Sequence, residues 1–316
     1  MREKRLPDEE VVFESADVAL AGTFVDPDGS RAAALILTGS GQLDRDSNGR
    51  RFRGQINNAI AEALAGRGVA SLRYDKRGAG ESGGDFFAAG VSENYADACA
   101  AIDWLETRGA GRPIYAIGHS EGALHVAHLA ADDRVAGAVL IACPAHRGEE
   151  ILTWQAAQIV PTLSRLTKAV LKLLRVDPLK SQRKALDRIR STAADSLRIQ
   201  GKKVNARWLR EFMDYDPAPI FERIDVPVLV VVAEHDMHVP PEDGDAIRAL
   251  IAGPCDETIV AGLSHILRDD PESKGPRAYR RALKAPVSPA VLDAITDWVE
   301  KQLSPSRVSS TESRRQ

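Results

Sequence analysis

The sequence predicts an α/β fold: a doubly wound, mostly parallel sheet interrupted by a helical cap insertion. Three observations predict it. Short, almost wholly apolar runs recur along the chain, segments of helical period alternate with them, and one long region breaks the rhythm. A strand covered on both faces reads as an unbroken apolar run, and such strands belong to parallel sheets. Strand and helix in alternation build βαβ units.

The elements follow in order. "VVFES" and "VALAGTFVD" alternate apolar and polar residues before a Pro27-Asp28-Gly29 turn, which predicts a hairpin at an antiparallel edge. The buried strands are then expected at 32–38, 69–75, 113–118, 135–143, 226–234 and 257–262. Helical period occupies roughly 54–67, 92–108, 121–131, 242–252 and 289–303. From 147 to 216 no strand-like run appears, only amphipathic helix pattern such as "LSRLTKAVLKLLRV". The expected organisation is therefore a core from 1–146 and 217–303, a cap from 147–216, and a disordered Ser- and Arg-rich tail over 304–316. A cap placed over the carboxyl edge of the sheet stands where open α/β folds bind ligands.

Composition narrows the function classes. With 316 residues, 44% apolar and 28% charged, the chain reads as globular rather than disordered. A formal net charge of -3 gives no general attraction to nucleic acid. No apolar run approaches the roughly 18 residues that span a bilayer. "MREKRLPDEE" lacks the apolar core of a secretory signal, so a cytoplasmic protein is expected. Cys99, Cys143 and Cys255 are far apart and show no metal-ligand spacing, which predicts free thiols. No metal, organic cofactor or phosphate loop is expected. The 147–216 region holds 15 Lys and Arg against 8 Asp and Glu, a net +7. Solvated cap faces or attraction to an anionic partner both account for it. The same cap helices offer a surface for a homodimer.

The chemistry gathers at "IYAIGHSEGAL". A strand candidate ends at Gly118 and a helix candidate begins at Glu121, so Gly118-His-Ser-Glu-Gly122 is a strand–turn–helix of the kind that exposes a nucleophile. Its glycines allow strand and helix to pass closely.

With "LTGSGQLDRD" (37–46), "RYDKRGAGESGG" (73–84), "AEHDMHVP" (233–240) and "GLSHI" (262–266), this motif makes the chain resemble the α/β-hydrolase superfamily over roughly 10–303. The likeness is to its serine-carboxylesterase branch, including dienelactone-hydrolase-like proteins. The resemblance implies the chain order Ser, acid, His. A physical search for partners agrees. Asp236 follows directly on a strand, and His265 lies in the loop after the next one. Ser120 is thus the expected nucleophile, His265 its base and Asp236 the carboxylate that orients the base. His235 and His238 flank Asp236, His119 lies inside the turn, His125 and His128 ride its helix, and His146 begins the insertion. Each is a weaker candidate for the base.

The expected oxyanion donors are the backbone N–H groups of Glu121 and Ser40, with Gly41 or Gln42 as alternatives to Ser40. Thr38-Gly39 stands where many such hydrolases carry His-Gly. Asp75 and Arg77 are read as loop braces, and Asp44-Arg45-Asp46 as either pairing loop charges such as Arg77 or shaping the acyl or leaving-group side of the pocket. The expected activity is hydrolysis of a small carboxylic ester. Thioester or amide hydrolysis, acyl transfer, and a silent ligand-binding role are the alternatives. The stripe Leu163, Leu166, Val170, Leu171 and Leu174 is expected either to line an acyl pocket or to seat its helix on a neighbour.

Overall fold

The computed structural model describes residues 8–50, 52–108, 111–269 and 276–304, so the predicted tail lies almost wholly outside the described residues. In chain order the first strands are β1 (Glu9–Ser15), β2 (Val18–Val25) and β3 (Ala32–Leu37), followed by a two-residue pair, β4 (Asn48–Gly49) and β5 (Phe52–Arg53). Then come α1 (Ile56–Gly66), β6 (Val69–Tyr74), α2 (Val91–Arg108), β7 (Ile114–His119), α3 (Glu121–Ala131) and β8 (Gly137–Ile141). The region after β8 holds α4 (Gly148–Ile159), α5 (Arg165–Leu173), α6 (Pro178–Arg190), β9 (Ser196–Ile199), β10 (Lys202–Asn205) and α7 (Ala206–Asp214). The chain closes with α8 (Ala218–Phe221), β11 (Val228–Ala233), α9 (Asp243–Leu250), β12 (Cys255–Val260), α10 (Pro276–Ala282) and α11 (Pro289–Leu303).

Eight strands form one sheet in the order β1-β2-β6-β3-β7-β8-β11-β12. From β6 to β12 every pairing is parallel, while β1 and β2 supply the antiparallel edge. Five of the almost wholly apolar runs are strands buried along their entire length, β3, β6, β7, β8 and β11, whereas the run expected at 257–262 belongs to β12, an edge strand that is largely half-exposed. Side chains alternate between two cores. One packs Leu35, Leu72 and Val230 against Ile102, Leu129 and Ile247 of α2, α3 and α9. The other packs Ile36, Ile117 and Val231 against Ile60, Leu64 and Ile295 of α1 and α11.

Two expectations about 147–216 change. The region is not purely helical, because β9 and β10 pair as an antiparallel hairpin. Its turn, Gln200-Gly201, has φ of 48° and 79°, the left-handed geometry that closes a tight hairpin. The leucine stripe does not simply seat α5 on a neighbour either. Leu166, Val170 and Leu174 stand exposed, and no residue of α5 is buried. A small separate cluster, Leu186, Ile189, Ala206 and Met213, joins α6 to α7 instead.

Candidate active site

Ser120 sits between β7 and α3 with φ 56° and ψ −120°, a strained backbone for a residue with a Cβ. The packing explains both flanking glycines. A Cβ on Gly118 would lie 2.3 Å from the Gly122 carbonyl oxygen, and one on Gly122 would lie 2.6 Å from that of Leu37. Only hydrogen fits at either place. The Ser120 N–H donates to the Ile141 carbonyl (2.9 Å), which ties the turn to the neighbouring strand.

Asp236 follows β11 and His265 follows β12, and the structure brings them together: His265 Nδ1–H donates to Asp236 Oδ2 at 2.7 Å. Asp236 Oδ1 accepts from the N–H groups of His238 (2.6 Å) and Val239 (3.0 Å). Burial opposes ionisation of Asp236, but the His265 ring and these two N–H groups outweigh it and hold its pKa below the usual carboxylate value. With Nδ1 committed to Asp236, the Nε2 lone pair of a neutral His265 is free to accept a proton.

His265 lies against the serine turn. Its carbonyl oxygen is 2.8 Å from His119 Nε2, which must therefore carry the proton, and the two rings are 4.8 Å apart. His238 stacks on His265 from another side, with ring centroids 4.6 Å apart. Burial, followed by the neighbouring His265, lowers His119 to about 3 and His238 to about 4. Both rings are neutral packing partners at ordinary pH. The remaining histidines have other partners: His128 meets the Tyr215 hydroxyl at 2.9 Å, and His146 Nδ1 meets Asp243 at 2.6 Å.

The loop after β3 lies against the turn as well. A Cβ on Gly39 would stand 3.4 Å from both Ser120 Cβ and His119 Nδ1. Ser40, Ser120 and Glu121 share the wall of a cavity of about 130 Å³, closed by Ile151, Leu152, Trp208 and Phe212 from α4 and α7. A second cavity of about 300 Å³ also touches Ser40 and Trp208, and Phe86, Phe87 and Lys203 help to line it. Gln42 turns away, donating to the Gly78 carbonyl at 2.6 Å.

Glu121 is the residue about which the sequence said least. Its carboxylate is 3% exposed, yet it accepts from Lys76 Nζ (2.9 Å), Asn94 Nδ2 (3.1 Å) and Trp208 Nε1 (2.6 Å), with His125 Nε2 at 3.4 Å. Burial pushes its pKa up, but Lys76 and His125 pull it far below the ordinary value, so the carboxylate is ionised. Sequence reasoning passed over Lys76, Asn94 and Trp208. The one available signal was the acid beside the nucleophile, which needs a cation if it is buried. The loop braces are corrected in one respect. Arg45 pairs with Asp75 (2.8 Å) and Asp46 with Arg73 (2.6 Å), whereas Arg77 turns to Asp97 (2.5 Å).

A hydroxyl on a strained turn, beside a carboxylate-held imidazole at the end of a parallel sheet, is an arrangement suited to acyl transfer. Comparison with known proteins agrees with that class. The family model described as serine aminopeptidase, S33, matches residues 52–272, and the chain belongs to this family of α/β hydrolases. It is 26% identical over 305 residues to esterase EstD of Thermotoga maritima, covering 92% of this chain and 68% of that protein. It is also 25% identical over 246 residues to an uncharacterized 31.7 kDa protein of Escherichia coli, covering 74% and 83%. Among solved structures, Est1E from Butyrivibrio proteoclasticus with bound ferulic acid superposes with a TM-score of 0.63 at 20% identity, covering 93% and 99%. Pyrococcus furiosus esterase Pf2001 superposes with a TM-score of 0.62 at 15% identity, covering 95% and 92%. These two likenesses are of fold.

Proposed function

We propose that the protein is a serine carboxylesterase in which Ser120, His265 and Asp236 act as a triad. The observation that carries this is the His265–Asp236 bond of 2.7 Å, with His265 packed on His119 of the turn whose strained Ser120 opens onto a cavity. The kinship with an esterase supports the same reading. Ser120 Oγ attacks the acyl carbon of the ester while His265 Nε2 takes its proton. The N–H groups of Glu121 and Ser40 hold the oxyanion, a task worth about 3–4 kcal/mol per donor in enzymes of this kind. Collapse expels the alcohol, which receives the proton from His265. Water then attacks the acyl-enzyme by the same route, releasing the acid and restoring Ser120. The segment 147–216 serves as a cap, since α4 and α7 supply apolar walls to the Ser120 cavity.

One observation favours an ester over the amino-terminal peptide substrate suggested by the family's description. An α-ammonium is held best by an anionic group that is free to face it. Among the described residues lining the two cavities, Glu121 is the carboxylate, and Lys76, Asn94 and Trp208 already engage it. The test is hydrolysis of p-nitrophenyl esters from acetate to palmitate, wild type beside Ser120→Ala. Turnover of the shorter esters that collapses in the variant supports the proposal. Equal rates in both proteins, or none in either, would refute it for simple esters.

A further inference from the structure

Eight large apolar side chains of the described residues are exposed, and six of them fall between 166 and 179: Leu166, Val170, Leu173, Leu174, Val176 and Leu179. Leu173 is 81% exposed and Leu166 75%. Leu166, Val170, Leu173 and Leu174 recur at the spacing that places them on one helix face. A nine-residue helix draws most of its stability from burying such a face, yet no residue of α5 is buried. Its N-terminus is nevertheless capped, with Ser164 Oγ accepting from the Thr167 N–H at 3.0 Å. The helix is complete, and among the described residues nothing buries its apolar face.

The surrounding charge indicates what covers it. Residues 163–184 hold seven Lys and Arg and a single acid, Asp177. Asp177 is itself occupied as the cap of α6, accepting from the N–H groups of Leu179 and Lys180. Two copies docked face to face about a two-fold axis would oppose one cationic surface to another. An apolar stripe backed by Lys and Arg suits an anionic lipid surface instead: leucines enter the boundary between headgroups and acyl chains, and the long cations reach the phosphates. No described helix is long and apolar enough to cross a membrane, so the contact is one of lying on the surface.

We propose that residues 163–184 dock the protein on anionic phospholipid membranes. The proposal stands apart from the esterase reading, because none of these side chains belongs to the proposed catalytic machinery. The test is co-sedimentation of the full chain with vesicles of phosphatidylcholine alone, or with about a third phosphatidylglycerol. Expected is binding to the anionic vesicles that is at least about tenfold stronger than to the neutral ones and weakens as salt rises. Leu166→Ser/Leu173→Ser/Leu174→Ser and Lys168→Glu/Lys172→Glu/Arg175→Glu should each lose about tenfold or more while keeping the wild-type circular dichroism spectrum. Equal binding to both vesicle types, no binding to either, or undiminished binding by both triple variants would overturn it. Failure to bind vesicles, with a dimer in sedimentation equilibrium that the serine variant dissociates, would assign the face to a second copy.

Discussion

Replacing Glu121 by Gln changes one atom and removes the charge from the centre of a buried network. The wild-type carboxylate faces the Lys76 ammonium at 2.9 Å, with side chains 3% and 10% exposed. In Glu121→Gln the single amide oxygen cannot serve both Lys76 and the Asn94 and Trp208 donors, and the buried cation faces only neutral acceptors, such as the Gly39 carbonyl at 3.3 Å. Removing one partner of a buried ion pair costs about 3–5 kcal/mol, a large share of the roughly 5–15 kcal/mol that holds a domain folded. Lys76→Met strands the carboxylate instead, although Asn94 and Trp208 still donate to it, so a smaller loss of about 2–3 kcal/mol is expected. The double variant carries neither charge. Its loss should fall short of the sum of the single losses by about 2 kcal/mol or more. Urea unfolding of the four proteins, followed by far-ultraviolet circular dichroism, measures all of these quantities. The backbone N–H of residue 121 survives, so the folded fraction of Glu121→Gln should keep most of its esterase turnover. A loss under about 1 kcal/mol in Glu121→Gln, or strict additivity in the double variant, would refute this account of the network.

Other expectations follow from the same geometry. Gly122→Ala forces a Cβ to within 2.6 Å of the Leu37 carbonyl oxygen, so the turn must shift. Stability should fall by about 1–3 kcal/mol and kcat/KM by about a hundredfold, read by urea unfolding and ester kinetics. Asp236→Asn should lower kcat about 10⁴-fold with a folded spectrum, because the Asn amide no longer selects the His265 tautomer. Acid should weaken the fold early. His119 and His238 titrate near 3 and 4 when folded and near 6.5 when unfolded, so only the unfolded chain takes up protons between those values. Stability is thus full above about pH 7 and falls as pH drops through 6.5, by about 2 kcal/mol per ring at pH 5. Phe substitution at either position should flatten that slope in unfolding titrations.

The sheet was legible because its inner strands are buried on both faces and therefore consist of apolar runs. α3 and α11 match their expected spans and α1, α2 and α9 fall within about two residues, whereas the short helices α8 and α10 were not expected. The β9–β10 hairpin was not legible. Its strands are only four residues long and partly exposed: β9 alternates over a single Ser-Leu-Arg-Ile stretch, too short to stand out, and β10 shows neither alternation nor an apolar run. Ser120, Asp236 and His265 could be picked out because each follows directly on, or in the loop after, a recognisable strand. Lys76 and Trp208 could not, since they meet Glu121 only when the fold closes over separations of 45 and 87 residues. The stripe on α5 misled for a related reason: helical period reports which residues share a face, and says nothing of whether a neighbour is present to cover it.

The backbone of Ser120 bears on stability. Held at φ 56° and ψ −120°, any side chain there carries about 1–3 kcal/mol of strain from which glycine is largely free. Ser120→Gly should accordingly raise the midpoint of thermal unfolding while abolishing turnover. The strain is thus the stability cost of holding out the hydroxyl on which the proposed chemistry depends.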